Sequence, residues 1–186
     1  MSFIILLLSV ITSCGNANHT SVAKNPPAPK QEVHQPPTIQ QGMILGEFHK
    51  EDLQKEPYST WFQTGYDSYT PDEEAMETID KNIGDYKIIA FMGTWCHDSK
   101  REVPKMFKIL DKAGYDLSNL TIYGVDYSKT TPNKENEKYD IFRVPTFIFI
   151  KDGKEVNRFV EHPRESLAKD IAKIVSGEPY KNSYAK

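Results

Sequence analysis

The chain between residues 86 and 176 alternates short apolar runs with amphipathic segments, and this alternation constrains the fold more than any other feature. The apolar runs span residues 86–92, 120–125 and 145–150, and a more polar run that contains Val156, Phe159 and Val160 follows at 155–160. Their length and their content of Val, Ile, Phe and Tyr are typical of buried strands. The last two runs are separated by Asp152-Gly153, which is a strong hairpin signal. The pattern predicts an α/β fold with a mixed central sheet flanked by helices on both faces.

Helices are predicted wherever apolar residues recur at helical spacing. Two helices should run from about 96 to 113 and from about 164 to 176. An earlier helix should begin with Thr70 as N-cap and Pro71 at its first position. A short helix is expected at 133–138. Residues 43–69 are rich in aromatic side chains but predict only one helical turn and one strand.

Length and charge narrow the class of protein. A chain of 186 residues suits one domain of ordinary size. The net charge of −3 and the dispersed Lys and Arg residues exclude the basic stripe that nucleic-acid binding requires. The two cysteines are too few for a disulfide framework, and no paired spacing suggests zinc. We expect a monomer with no nucleic acid, metal or cofactor.

The N-terminal residues resemble an export signal. Phe3 to Ile11 is apolar apart from Ser9, and this run is much shorter than the roughly 20 residues of a membrane-spanning helix. The following Ile11-Thr12-Ser13-Cys14 resembles a bacterial lipobox. That resemblance implies a lipoprotein signal peptide at 1–13 and a lipid anchor at Cys14. The opening residues lack the basic side chain usual in such signals, and the alternative is a buried strand that ends in an ordinary cysteine.

A polar stretch rich in Pro, Asn and Gln follows Cys14. Such a composition cannot bury enough apolar surface to fold, and its prolines favour an extended chain. We therefore predict a tether at 14–42 and a globular domain at 43–180. The protein is expected in the bacterial cell envelope, either facing the periplasm or as an outer-membrane lipoprotein.

Four motifs carry a resemblance to a known family. They are Trp95-Cys96-His97-Asp98-Ser99-Lys100 between a strand and a helix, Pro104 within that helix, Val144-Pro145-Thr146 before a strand, and the hairpin at 149–154. At these separations they resemble the thioredoxin superfamily, in which the first motif normally reads Trp-Cys-x-x-Cys-Lys. The resemblance covers about residues 85–177 and implies a thioredoxin-like fold.

Cys96 is the candidate nucleophile. A cysteine at a helix N-terminus faces unpaired N–H groups and the positive end of the helix dipole, which favour the thiolate that attacks disulfides. Ser99 is expected to donate a hydrogen bond to that thiolate, and Trp95 to shield it. A protonated His97 would favour the thiolate and Asp98 would oppose it, although both also suit a polar surface turn. The alternative for Cys96 is a small buried hydrophobe without chemistry.

The resemblance also implies a partner-binding edge and two departures from the family. It implies a cis Val144-Pro145 bond beside Cys96, where an extended peptide could add as a strand. Arg143 would lie near the thiolate, or would simply be a surface residue. Ser99 replaces the second cysteine, so an internal resolving thiol is missing. Ala90 stands where the family buries an acid.

Two functions remain open from sequence. The leading hypothesis is thiol–disulfide exchange through Cys96 alone, with envelope proteins that contain cysteines or disulfides as partners. The alternative is a non-catalytic thioredoxin-fold module that binds peptides or a partner protein. A thiol peroxidase would need Thr or Ser at the position of Gly93, and copper delivery would need a second cysteine.

Overall fold

The computed structural model describes residues 37–185, in which six strands form one sheet. The strands are β1 (Thr38–Gln40), β2 (Met43–Phe48), β3 (Lys87–Met92), β4 (Leu120–Gly124), β5 (Thr146–Lys151) and β6 (Lys154–Val160). Their order across the sheet is β1-β2-β4-β3-β5-β6. Strands β3 and β4 are parallel and the other neighbouring pairs are antiparallel. The predicted mixed sheet and α/β class are confirmed.

The predicted signal segment 1–13, Cys14 and most of the predicted tether lie outside the described residues. Within residues 37–185, no helix is both long enough and apolar enough to cross a membrane. The α-helices of this part of the chain are α1 (Lys50–Leu53), α2 (Ser59–Ser68), α3 (Glu73–Asn82), α4 (His97–Lys112), α5 (Glu135–Lys138) and α6 (Leu167–Ser176), and short 3-10 helices lie at Ile83–Asp85 and Leu117–Asn119.

Two helices begin later than the sequence predicted, because the capping side chains lie further along the chain. Asp72, rather than Thr70, caps α3, and its carboxylate accepts a hydrogen bond from the Ala75 N–H at 3.0 Å. Ser166 caps α6 in the same way and accepts from the Lys169 N–H at 3.3 Å. The predicted starts at 70 and 164 are therefore wrong by a few residues.

Residues 38–69 contain more regular structure than the sequence predicted. Strand β1 lies inside the predicted tether and pairs with β2 across Gln41-Gly42, where both residues have positive φ as in a tight hairpin turn. Gly46, with φ of +80°, lies where β2 passes from pairing with β1 to pairing with β4. Helix α2 extends over ten residues, where the sequence predicted one turn.

The two faces of the sheet carry two apolar clusters of unequal size. The larger cluster joins Ile88, Ala90 and Met92 of β3 to the buried sides of α2, α3, α4 and α6. The smaller cluster, on the opposite face, contains Phe91, Val125, Val144 and Ile148. Trp95, Cys96 and Tyr139 pack against the smaller cluster, and Tyr139 is the residue that directly follows α5. Cys96 therefore sits where α4 begins, beside the less covered face.

Candidate active site

Cys96 is the N-cap residue of α4 and is partly exposed. The turn from β3 holds it in place, because its N–H donates to the Gly93 carbonyl at 2.9 Å and its carbonyl accepts from the Lys100 N–H at 3.0 Å. Pro104 lies inside α4, as the sequence predicted. The first turn of a 16-residue helix leaves backbone N–H groups without intrahelical partners. The thiol is therefore placed where a negative charge is favoured.

The Cys96 sulfur lies against the segment that precedes β5. Its Sγ is 3.3 Å from the Val144 carbonyl oxygen, to which the thiol donates. The Val144-Pro145 bond is cis, as predicted from the family resemblance. Two hydrogen bonds hold this segment, because the Thr146 hydroxyl donates to the Arg143 carbonyl at 2.8 Å and the Glu161 N–H donates to the Pro145 carbonyl at 2.7 Å. The structure thus brings Cys96, Val144 and Pro145 together.

Ser99 lies one turn along α4 and its side chain is fully buried. Its hydroxyl oxygen accepts a hydrogen bond from the Gly93 N–H at 3.2 Å. The sequence predicted a bond that Ser99 donates to the thiolate, whereas the structure shows one that Ser99 accepts from the turn before Cys96. Ser99 therefore stabilises the turn that presents the thiol, a role that sequence reasoning missed.

Trp95 is held on one side of Cys96 by the loop after β4. Its Nε1–H donates to the Val125 carbonyl at 3.0 Å. Its ring centroid is 4.9 Å from that of Tyr127, and the Lys129 ammonium lies 6.0 Å from the indole centroid. Tyr127 is 63% exposed. No periodic signal in the polar stretch 126–140 could have identified Tyr127 as part of this surface.

His97 and Asp98 form the exposed edge of the turn. His97 is exposed, and Asp98 forms an ion pair with Arg101 at 2.6 Å. Burial alone would lower the pKa of Arg101, but its hydrogen bonds to Glu102 and Asp98 outweigh burial and raise it. Glu102 is buried and also pairs with Lys105 at 3.2 Å. The negative charge of Asp98 is therefore balanced beside the thiol by a cation that stays protonated.

Arg143 is directed toward the end of β6. Its Nε is 4.0 Å from a carboxylate oxygen of Glu161, and its guanidinium lies 5.4 Å from the ring centroid of Tyr184. The neighbouring Phe142 is 53% exposed. The sequence left open whether Arg143 lies near the thiolate or is a surface residue, and it did not identify Phe142, Glu161 or Tyr184. The Arg143 side chain is 46% exposed, and the contacts found for it are with Glu161 and Tyr184. Within residues 37–185, no group of three or more His, Cys, Asp or Glu side chains could hold a metal ion.

Comparison with known proteins gives one matching family model, two similar sequences and one similar solved structure. The family model described as Thioredoxin matches residues 70–173, which include Cys96, Ser99 and the Val144-Pro145 segment. The thioredoxin of Chlamydia trachomatis is 34% identical over 87 residues, which cover 46% of this chain and 79% of that protein. Thioredoxin H-type 1 of Nicotiana tabacum is 31% identical over 103 residues, which cover 54% of this chain and 77% of that protein. The solved structure of Fasciola hepatica thioredoxin is 24% identical with a TM-score of 0.37, covering 55% of this chain and 89% of that one.

Proposed function

Because the chain belongs to the thioredoxin family, we propose that it is a thiol–disulfide exchange protein that works through Cys96 alone. One observation carries the proposal: a partly exposed cysteine caps α4 with its sulfur 3.3 Å from the carbonyl that precedes the cis Pro145. A sulfur in that position can reach a disulfide in a peptide that lies along the Val144 edge.

The exchange reaction begins with the Cys96 thiolate. It attacks one sulfur of a partner disulfide, so an S–S bond to Cys96 forms, the partner's S–S bond breaks, and the departing sulfur leaves as a thiolate. Ser99 has no sulfur with which to displace the partner. Release therefore requires an external thiolate from the substrate, a small thiol or another protein. The products and reactants contain the same number of disulfides, so no further oxidant or reductant is needed.

We also propose that the reaction takes place in the bacterial cell envelope. The support is the lipobox-like Ile11-Thr12-Ser13-Cys14 and the tether that follows it. A lipid on Cys14 would hold the domain at a membrane, with envelope proteins that contain cysteines or disulfides as partners. Labelled fatty acid should enter the wild-type chain and be absent from Cys14→Ser. Equal incorporation into both would refute the anchor but leave the chemistry untouched.

The exchange function is tested with full-length Cys14→Ser, in which Cys96 is the only remaining cysteine. Incubated with envelope extract, this protein should form mixed disulfides that persist, and the additional change Cys96→Ser should abolish them. Ser99→Cys should shorten the lifetime of the adducts and introduce insulin reduction in the presence of a reductant, because a resolving thiol is restored.

Ser99→Ala is the matched control, because it removes the hydroxyl that Gly93 contacts without adding a thiol. Its adducts should persist as those of the parent protein do. If Cys96 forms no adducts while Cys96→Ser retains the same non-covalent partners, the exchange function is wrong and a binding module is left. The exposed side chains of Tyr127 and Phe142 favour that second candidate, since they offer apolar contact area without chemistry.

A further inference from the structure

The C-terminal segment returns to the active site after α6. Residues 174–185 lie beyond the end of the family match at 173. We call residues 180–184 the C-terminal clasp. Asn157 donates to the Tyr180 carbonyl at 3.0 Å, and the Ser183 hydroxyl donates to the His162 carbonyl at 2.7 Å. These contacts hold the clasp against the middle of β6 and against the residues that directly follow it.

Tyr180 anchors the start of the clasp to α6. Its hydroxyl donates to the buried carboxylate of Asp170 at 3.1 Å. Burial, and then the charge of Asp170, raise the pKa of Tyr180, so its hydroxyl stays a donor throughout the neutral range. The clasp is therefore held by a polar contact that solvent screens weakly.

Tyr184 contacts the residues that precede Val144, the residue whose carbonyl faces Cys96. Its ring centroid is 5.7 Å from that of Phe142 and 5.8 Å from that of His162. The Arg143 guanidinium lies 5.4 Å from the same ring, and the Tyr184 hydroxyl is hydrogen-bonded to the Glu161 carboxylate. One side chain thus touches both segments that frame the Val144-Pro145 bond.

Few contacts separate Tyr184 from the Cys96 thiol. Glu161 accepts from Tyr184 through its carboxylate and donates to the Pro145 carbonyl at 2.7 Å through its N–H. Phe142 and Arg143 directly precede Val144, whose carbonyl lies 3.3 Å from the Cys96 sulfur. Without Tyr184, residues 142–143 would keep the Thr146 contact but lose their ring contacts.

We propose that Tyr184 is a positioning residue for the exchange reaction, which holds the edge at residues 142–145 in the conformation that an extended partner peptide meets. This role rests on the proposed function. A preordered edge saves the entropy that a mobile loop would lose when a peptide binds. The Cys96 thiolate can attack a small disulfide reagent that does not contact the edge, so the rate of that reaction does not depend on Tyr184.

The test compares two probes that release the same chromophore, using full-length Cys14→Ser in every case. The first probe is the small aromatic disulfide dithiobis(nitrobenzoate). The second is an extended peptide whose single cysteine is joined by a disulfide to thionitrobenzoate. With either probe, the Cys96 thiolate forms a new S–S bond and thionitrobenzoate leaves with the electron pair. The variants are Tyr184→Ala and Tyr184→Phe, and the latter keeps the ring contacts while losing the hydroxyl.

Tyr184→Ala should slow the peptide reaction by roughly tenfold or more, because misplacement of a positioning element carries penalties of that size. The reaction of Tyr184→Ala with the small reagent should stay at the parent rate. With the peptide probe, the rate of Tyr184→Phe should lie between those of the parent protein and Tyr184→Ala. Equal losses with both probes, no loss with either, or a faster peptide reaction would overturn the positioning role alone. A parent protein that reacts with neither probe would overturn the exchange function and the positioning role together.

Discussion

Residues 38–69 and residues 86–176 share one sheet, but different contacts hold them in place. Residues 86–176 assemble through paired strands and broad apolar helix faces. Residues 38–69 precede the family match, which begins at 70. They bury Phe48, Leu53 and Phe62 in the same large cluster, and they also make a few close contacts with backbone atoms. At Ile44 the N–H donates to the Thr94 hydroxyl at 3.3 Å, and a Cβ on Gly124 would lie 2.1 Å from the carbonyl oxygen. Residues 86–176 thus spread their stability over many packed side chains, whereas residues 38–69 add close backbone contacts at single positions.

The most destabilising substitution is expected at Gly124, where β4 approaches the backbone of β2. In Gly124→Ala the new methyl group would meet the carbonyl oxygen and carbon of Ile44, which are backbone atoms that cannot rotate away. Strand β2 must then move, and the free energy of unfolding should fall by about 3 kcal/mol or more. Urea denaturation measures this change.

Gly84→Ala is the matched control for Gly124→Ala. Gly84 is exposed, and nothing lies within 4 Å of a Cβ built there. Its free energy of unfolding should change by no more than about 0.5 kcal/mol, as for other surface substitutions. If both variants lose the same stability, the contact between Ile44 and Gly124 is not what holds residues 38–69 in place.

The elements of residues 86–176 could be predicted because each one shows its own periodicity. The run at 86–92 gave β3, the stripe along 96–113 gave α4, and Asp152-Gly153 gave the hairpin of β5 and β6. The cis bond before Pro145 also followed, but from the family resemblance and not from composition. Local patterns are enough where an element buries one regular face.

The remainder depends on contacts between distant residues, which local patterns do not contain. Helix α2 has a weak apolar stripe because only Phe62 among its residues is fully buried. Tyr184 contacts Phe142 across 42 positions of the chain, and β6 and α6 lie between the two residues in sequence. Ser99 was recognised as the replacement for a cysteine, but its bond to Gly93 depends on the path of the turn.

Thr94 joins the active-site turn to β2, because it lies two residues before Cys96 and its hydroxyl accepts from the Ile44 N–H. Thr94→Val keeps the shape of the side chain but leaves the buried Ile44 N–H without its acceptor, so we expect a loss of about 1–3 kcal/mol in unfolding free energy. Thr94→Ser keeps the hydroxyl and should lose only about 0.8 kcal/mol for the missing methyl group. Urea denaturation of both variants separates the contribution of the hydroxyl group from that of the methyl group. Equal losses of unfolding free energy would mean that the hydrogen bond between Ile44 and Thr94 contributes nothing.

Helix α2 packs closely against α4 at Gly65. A Cβ there would lie 3.1 Å from Pro104 side-chain atoms. This contact is tight, but a shift of α2 by a few tenths of an ångström would relieve it.

Two opposing terms therefore act in Gly65→Ala. Alanine improves helix propensity by about 1 kcal/mol over glycine, and crowding against Pro104 removes a similar amount. The net change in the free energy of unfolding should be within about 1 kcal/mol, while the larger Gly65→Leu should lose about 1–3 kcal/mol because it cannot fit in the same space. Urea denaturation of these two variants and of Gly124→Ala compares how much stability depends on the contact between α2 and α4 and on the contact between β2 and β4. A loss in Gly65→Ala as large as that in Gly124→Ala would show that α2 is held against α4 as rigidly as β2 is held against β4.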